Sequence, residues 1–131
     1  MSGHRYREAL PAECPPSAAF DADDRFAWRA IAHESPEASD FDPLAKVNPT
    51  WTQGKTDTCV CNAHAVSVFE DKNSAKMVKM LKRKQHLKYL AEVKLAAGTG
   101  KIFPNGKDTH VSWWIFESCC PIDHVLSTEK A

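Results

Sequence analysis

"CVCNAHAVSVFEDKNSAKMVKMLKRK", residues 59–84, changes its apolar period partway along, and that change decides the fold class. Up to Phe69 the pattern is that of a strand, with Val66, Val68 and Phe69 as good strand formers. If residues 59–69 form one strand, Cys61, Ala63, Ala65 and Ser67 share a face of small side chains. Such a face leaves room for a ligand or for close backbone packing. From Asp71 onward the spacing turns helical. Ala75, Met77, Val78 and Leu81 make an apolar stripe, and Asp71 or Asn73 supplies an N-cap. The polar side carries Lys76, Lys79, Lys82, Arg83 and Lys84, so residues 76–88 read as a basic helix and its end.

Toward the C-terminus, "HLKYLAEVKL" (86–95) alternates as a half-buried strand, and "KIF" (101–103) is a short strand followed by a tight turn at "PNGK" (104–107). "HVSWWIFES" (110–118) alternates too. His110, Ser112, Trp114 and Phe116 then point one way, and Val111, Trp113, Ile115 and Glu117 the other. One tryptophan on each face predicts a central strand covered on both sides, with Trp114 anchoring the core and Trp113 either a second core residue or the wall of a cleft. Toward the N-terminus, residues 33–58 hold three prolines and many turn formers, a connection long enough to be a functional loop. Before it, "RFAWRAIA" (25–32) is a strand whose better core face is Phe26, Trp28, Ala30 and Ala32, with Arg29 on the other face beside Ala27 and Ile31.

Strand, loop, strand, helix, then several strands is an α+β order. The expectation is one compact domain over residues 25–126, a mixed or antiparallel sheet with one main helix. An irregular arm (1–24) precedes it and a loose tail (127–131) follows it. Val66, Val68, Val93, Leu95, Ile115 and one tryptophan should share the main core.

The 131 residues suffice for one domain with a real core. No apolar run approaches a membrane span, and the N-terminus lacks a signal peptide's apolar stretch. Five cysteines, an odd number, fit a reducing compartment, so a cytoplasmic protein is expected. Net charge is zero but uneven: residues 72–107 hold ten Lys/Arg and one acid, Glu92. That stretch could meet nucleic acid or an acidic protein, though a neutral chain predicts only weak, non-specific binding to nucleic acid.

Cys59, Cys61 and His64, and Cys119, Cys120 and His124, are ligand types for zinc. Their C-x-C and adjacent spacings differ from the usual pairs two to four residues apart, so zinc is not expected. "GTGK" is too short for a phosphate loop, and no nucleophile elbow is present.

The chain order of Arg29 on a first strand, Ser67 on a second strand leading into a helix, and Glu117 at the end of a late strand resembles the ADP-ribosyltransferase fold. "VSVFEDKNSAKMVKML" and "YLAEVKLAAGTGKIFPNG" are similar to segments that follow the serine in that family. The family often shows Ser-Thr-Ser where this chain has Ala-Val-Ser, and Glu or Gln where it has Ile115. The resemblance implies a toxin or effector that uses NAD to modify a protein or nucleic acid. Arg29 would hold a phosphate, Ser67 would tie the strands beside the nicotinamide ribose, Trp113 would wall the site, and Glu117 would stabilise the departing nicotinamide's positive centre. Two other readings stand beside it: a non-enzymatic module that binds through helix 76–88, and a Cys/His zinc-stabilised adaptor.

Overall fold

The computed structural model describes residues 5–104 and 108–131. Its elements in chain order are β1 (Phe20–Asp21), β2 (Arg25–Ile31), α1 (Leu44–Val47), α2 (Asp57–Ala63), β3 (Val66–Phe69), α3 (Ala75–Arg83), β4 (Tyr89–Leu95), β5 (Gly100–Pro104), β6 (His110–Ile115) and β7 (Val125–Lys130). The strands form one antiparallel sheet in the order β1-β5-β6-β3-β2-β4-β7. This is a single α+β domain. No helix among the described residues is long and apolar enough to cross a membrane.

The stretch 59–84 does switch from strand to helix, but a helix precedes the strand as well. Thr56 caps α2, its hydroxyl accepting the Cys59 N–H at 3.2 Å, and the strand begins only at Val66. Cys61 and Ala63 therefore sit on α2 and share no strand face with Ser67. Cys61 is joined to Cys14 by a disulfide, with the two Cα atoms 5.5 Å apart. The cap of α3 is Ser74 rather than Asp71 or Asn73, because Ser74 Oγ reaches the Met77 N–H. Asp71 instead accepts from Asn73 in the turn before the helix.

Each face of the sheet is covered. On one face Val66, Val68, Val93, Leu95, Val111, Trp113 and Ile115 form the main core with Ala27, Ile102 and Phe41. The expected core residues are all there. On the other face α3 lays Met77, Met80 and Leu81 over Ala30, Phe69 and Leu90. Trp114 packs beside them under α2 and the N-terminal segment, with Cys61, Ala65, Leu10 and Cys14 around it. Both tryptophans are buried, so the strand is covered on both sides.

On β2 the main core takes the face the pattern did not favour, while the favoured face packs in part beneath α3 through Trp28 and Ala30. Ala27 lies in the main core and Ile31 is buried at the cleft, while Phe26 is 52% exposed. Two arginines on the core-facing side misled the reading. Arg25 reaches outward to Asp23 and Glu70, and Arg29 turns its head onto backbone carbonyls, so neither leaves a bare charge in the core.

The N-terminal arm and the tail are more ordered than their composition suggests. Tyr6 bridges to Phe116, β1 pairs with β5, and Cys14 is cross-linked to α2. Residues 125–130 pair with β4 as an edge strand. Of the predicted "PNGK" turn, residues 105–107 lie outside the described residues.

A cleft where two central strands part

β2 and β3 are neighbours, yet they share a single register pair, Trp28 with Phe69. Beyond that pair the strands diverge. The N–H of Ala32, just past β2, goes to the Asp40 carboxylate at 3.1 Å instead of to a strand. A cleft of about 430 Å³ opens in the gap. Its floor and flanks are apolar, with Ile31, Ala65, Pro43, Leu44, Met80 and Leu87, and its polar residues include Arg29, Ser67, Lys84 and His86 together with the acids Asp40 and Asp42. One wall comes from the loop after β2, the other from the end of α3 and the residues that follow it. Volume and lining are those of a small-molecule site.

Arg29 builds the loop wall. Its Nε donates to the Asp40 carbonyl at 2.7 Å, Nη1 to the Ser67 carbonyl at 2.8 Å, and Nη2 to the Asp42 carbonyl at 3.1 Å. A flat guanidinium with five N–H groups suits such a spread of acceptors. Burial lowers its pKa to about 10; Asp40 and Asp42 pull it back up, and Arg7 adds to the fall. It stays charged at neutral pH. Arg7 grips the same loop from the far side through the carbonyls of Ala38 and Phe41. Asp40 ties the loop internally by accepting the Glu37 N–H at 2.8 Å and holding His33.

Ser67 faces the cleft from β3. Its neighbours Val66 and Val68 point into the core, so alternation turns its side chain to the α3 face, where it is exposed. On that face the Ser67 hydroxyl meets His110 Nε2 at 3.0 Å. The register explains the meeting: Ser67 stands opposite Ser112 and Phe69 opposite His110, so the two side chains are diagonal neighbours across β3 and β6. Burial and the nearby Lys76 push the imidazole down to about 4, against the opposing pull of Asp108. His110 is therefore neutral near pH 7. Asp108 itself is engaged by α3, accepting the N–H groups of Ala75 and Lys76.

The structure thus brings Arg29 and Ser67 to one cleft, and leaves Glu117 and Trp113 away from it. Glu117 is exposed in the turn after β6, its N–H bonded to the Arg5 carbonyl at 2.8 Å. The ring of Trp113 is enclosed in the main core, on the sheet face opposite the Ser67 side chain. Glu117 follows β6 in a turn and Trp113 is turned into the main core, so neither lies among the residues that line the cleft. What the sequence reading missed is the Ser67–His110 contact and the contribution of Lys84 and His86. Neither has a local sequence signal, since both depend on strand register and on where α3 ends.

The cysteines give no thiolate cluster. Cys61 is spent in the disulfide, and burial, with Cys120 and Asp123 nearby, pushes the Cys119 thiol up to about 11. Among the described residues no group of three or more His, Cys, Asp or Glu is placed to hold a metal ion. Compared with known protein families, curated proteins and solved structures, the chain matches none.

Proposed function

We propose that the cleft between β2 and β3 binds a small molecule with an apolar body and an anionic group. The observation that carries this is the state of Arg29. Its guanidinium lines the cleft and is held by three neutral carbonyls, and it forms no ion pair among the described residues. Asp40 and Asp42 offset part of its charge, yet neither carboxylate bonds it, so the guanidinium keeps a cationic side for an incoming anion. Lys84, also in the lining, adds to that preference.

Nicotinamide dinucleotide is the first ligand to test. Its pyrophosphate supplies the anion, and the order Arg29, Ser67, Glu117 resembles that of ADP-ribosyltransferases. Because Glu117 lies outside the cleft, that resemblance supports binding here rather than the transfer step. Thermal unfolding of the full chain with NAD, ADP-ribose or pyrophosphate, against nicotinamide alone, tests the reading. A ligand at about 100 times its Kd stabilises by roughly 2.7 kcal/mol, a shift of several degrees. The shift should shrink in Lys84→Glu. No shift with any of the three anions would sink the proposal.

A second reading has its own observation. Lys76, Lys79, Lys82 and Arg83 are exposed on α3 and form no ion pair among the described residues. If this face grips phosphates, binding to a mixed-sequence oligonucleotide should fall steeply with salt. Binding that ignores salt would remove it.

A further inference from the structure

We propose that Ser67 and His110 act as nucleophile and general base on an ester or other activated acyl group of a ligand held in the cleft between β2 and β3. The inference rests on the cleft being a ligand site, and it goes further by naming a reaction there.

Three independent features converge. The first is geometry: His110 Nε2 lies 3.0 Å from Ser67 Oγ, within the range for proton transfer between a nucleophile and its base. The second is access. Ser67 is the exposed residue in a strand whose other three members are buried, and it borders the cleft of about 430 Å³. A serine that served only packing would not need to face 430 Å³ of open space. The third is protonation. Burial and the Lys76 charge hold the imidazole neutral throughout the physiological range, so with the proton on Nδ1 the Nε2 lone pair meets the serine, as a weak base that sets a slow reaction.

The scaffold also fixes the nucleophile. Arg29 anchors the Ser67 carbonyl at 2.8 Å, and β6 pairs with the whole of β3. His110 is steadied by an edge-to-face contact with Phe69, ring centres 5.2 Å apart. Sites built on strands in this way hold their geometry better than sites on loops.

The chemistry balances without any outside reagent except water. Ser67 Oγ bonds to the acyl carbon as its proton passes to His110 Nε2. The tetrahedral centre collapses, its bond to the leaving oxygen breaks, and that oxygen takes the proton from His110. Water then attacks the acyl-serine, giving its proton to His110. Ser67 leaves as the group that departs, recovers the proton, and a carboxylic acid is released. Lys84 in the cleft lining is the cation available to a developing oxyanion.

The test uses the full chain with two probes, a fluorophosphonate that labels activated serines and p-nitrophenyl butyrate. The wild type should take up one phosphonyl group, located to Ser67 by peptide mass mapping, and should hydrolyse the ester above the buffer rate. Ser67→Ala should lose both while keeping the wild-type melting temperature, since the side chain is small and exposed. His110→Gln should slow labelling by about 10²- to 10⁴-fold. If that variant unfolds, the pH profile of wild-type labelling replaces it, with the rate falling only in acid as His110 is protonated. Absence of label at Ser67, or equal labelling in Ser67→Ala, overturns the pair. Anion-induced stabilisation measured on the same samples separates the two claims: a shift with pyrophosphate but no label leaves the cleft and ends the nucleophile.

Discussion

Arg29 carries a charge into the space between two strands and satisfies it with the carbonyls of Asp40, Ser67 and Asp42. Charge-assisted hydrogen bonds of this kind contribute more than neutral ones. Replacement by lysine keeps the charge, but a single ammonium on a flexible stem cannot serve acceptors spread around a planar fork. Arg29→Lys should therefore cost about 2–4 kcal/mol, which for a domain of this size is on the order of 10 °C in Tm. A wild-type melting curve for Arg29→Lys would show that the three bonds do not hold the loop. His110 gives a second expectation at this scale. Its folded pKa, about 4, lies below the ordinary 6.5, so between those values the unfolded chain binds more protons than the folded one. Stability from this group is complete above pH 6.5 and declines as pH falls toward 4. His110→Gln should flatten that part of the stability-versus-pH curve, measured by urea unfolding. An unchanged slope would show that His110 titrates normally in the folded state. Ser67 was legible in the sequence as a small polar residue in a strand of valines. Its partner was not, because pairing a serine with a histidine 43 residues away requires the β3–β6 register.

The helix α3 shows what a pattern does and does not specify. Its existence and its basic polar side follow from "SAKMVKMLKRK" read at a period of 3.6. Of its expected stripe, Met77 and Leu81 pack on the sheet with Met80, while Ala75 and Val78 stay at the surface. Met77 is 0% exposed and Val78 is 41% exposed, with Ala75 also at the surface. Two adjacent apolar residues leave the angle of the stripe open, and the sheet decided it. Ala30 and Leu90 present a shallow surface that a long, flexible methionine fills. The same limit applies to β2, whose alternation holds while the main core takes Ala27 and α3 covers Trp28 and Ala30. A pattern gives the period, and the partner surface gives the phase. Met77→Ala should cost about 2–5 kcal/mol by opening a cavity between helix and sheet. Val78→Ala should cost well under ~1 kcal/mol, in the range of exposed substitutions. Equal losses in chemical denaturation would mean that the helix packs on both residues and that its orientation is misassigned.

At the scale of the molecule, the domain closes by drawing both ends of the chain onto one sheet. The tail becomes the edge strand beside β4, and the N-terminal segment crosses Trp114 and is fastened to α2 through Cys14–Cys61. Composition pointed the other way, because proline, alanine and acid before residue 25 read as an irregular arm and five cysteines as free thiols. A count of cysteines carries no distances, so it could not pair Cys14 with Cys61 across a sequence separation of 47. Such a bond persists only where thiols are not kept reduced, which makes it a test of the compartment expectation as well as of the fold. Closing a loop of that size removes unfolded-state entropy equivalent to about 4 kcal/mol in the chain-entropy account. Protein purified without reductant and unfolded in guanidinium should then titrate three thiols per chain, Cys59, Cys119 and Cys120, rising to five after reduction. Reductant should lower the melting temperature of the wild type and leave a Cys14→Ala/Cys61→Ala variant unmoved. The reduced wild type and that variant should melt near one another, because both lose the same cross-link. Five thiols before reduction would remove the bond. The N-terminal segment would then be held over Trp114 by its apolar contacts, the Tyr6–Phe116 bridge and the hydrogen bonds of Arg5 and Arg7.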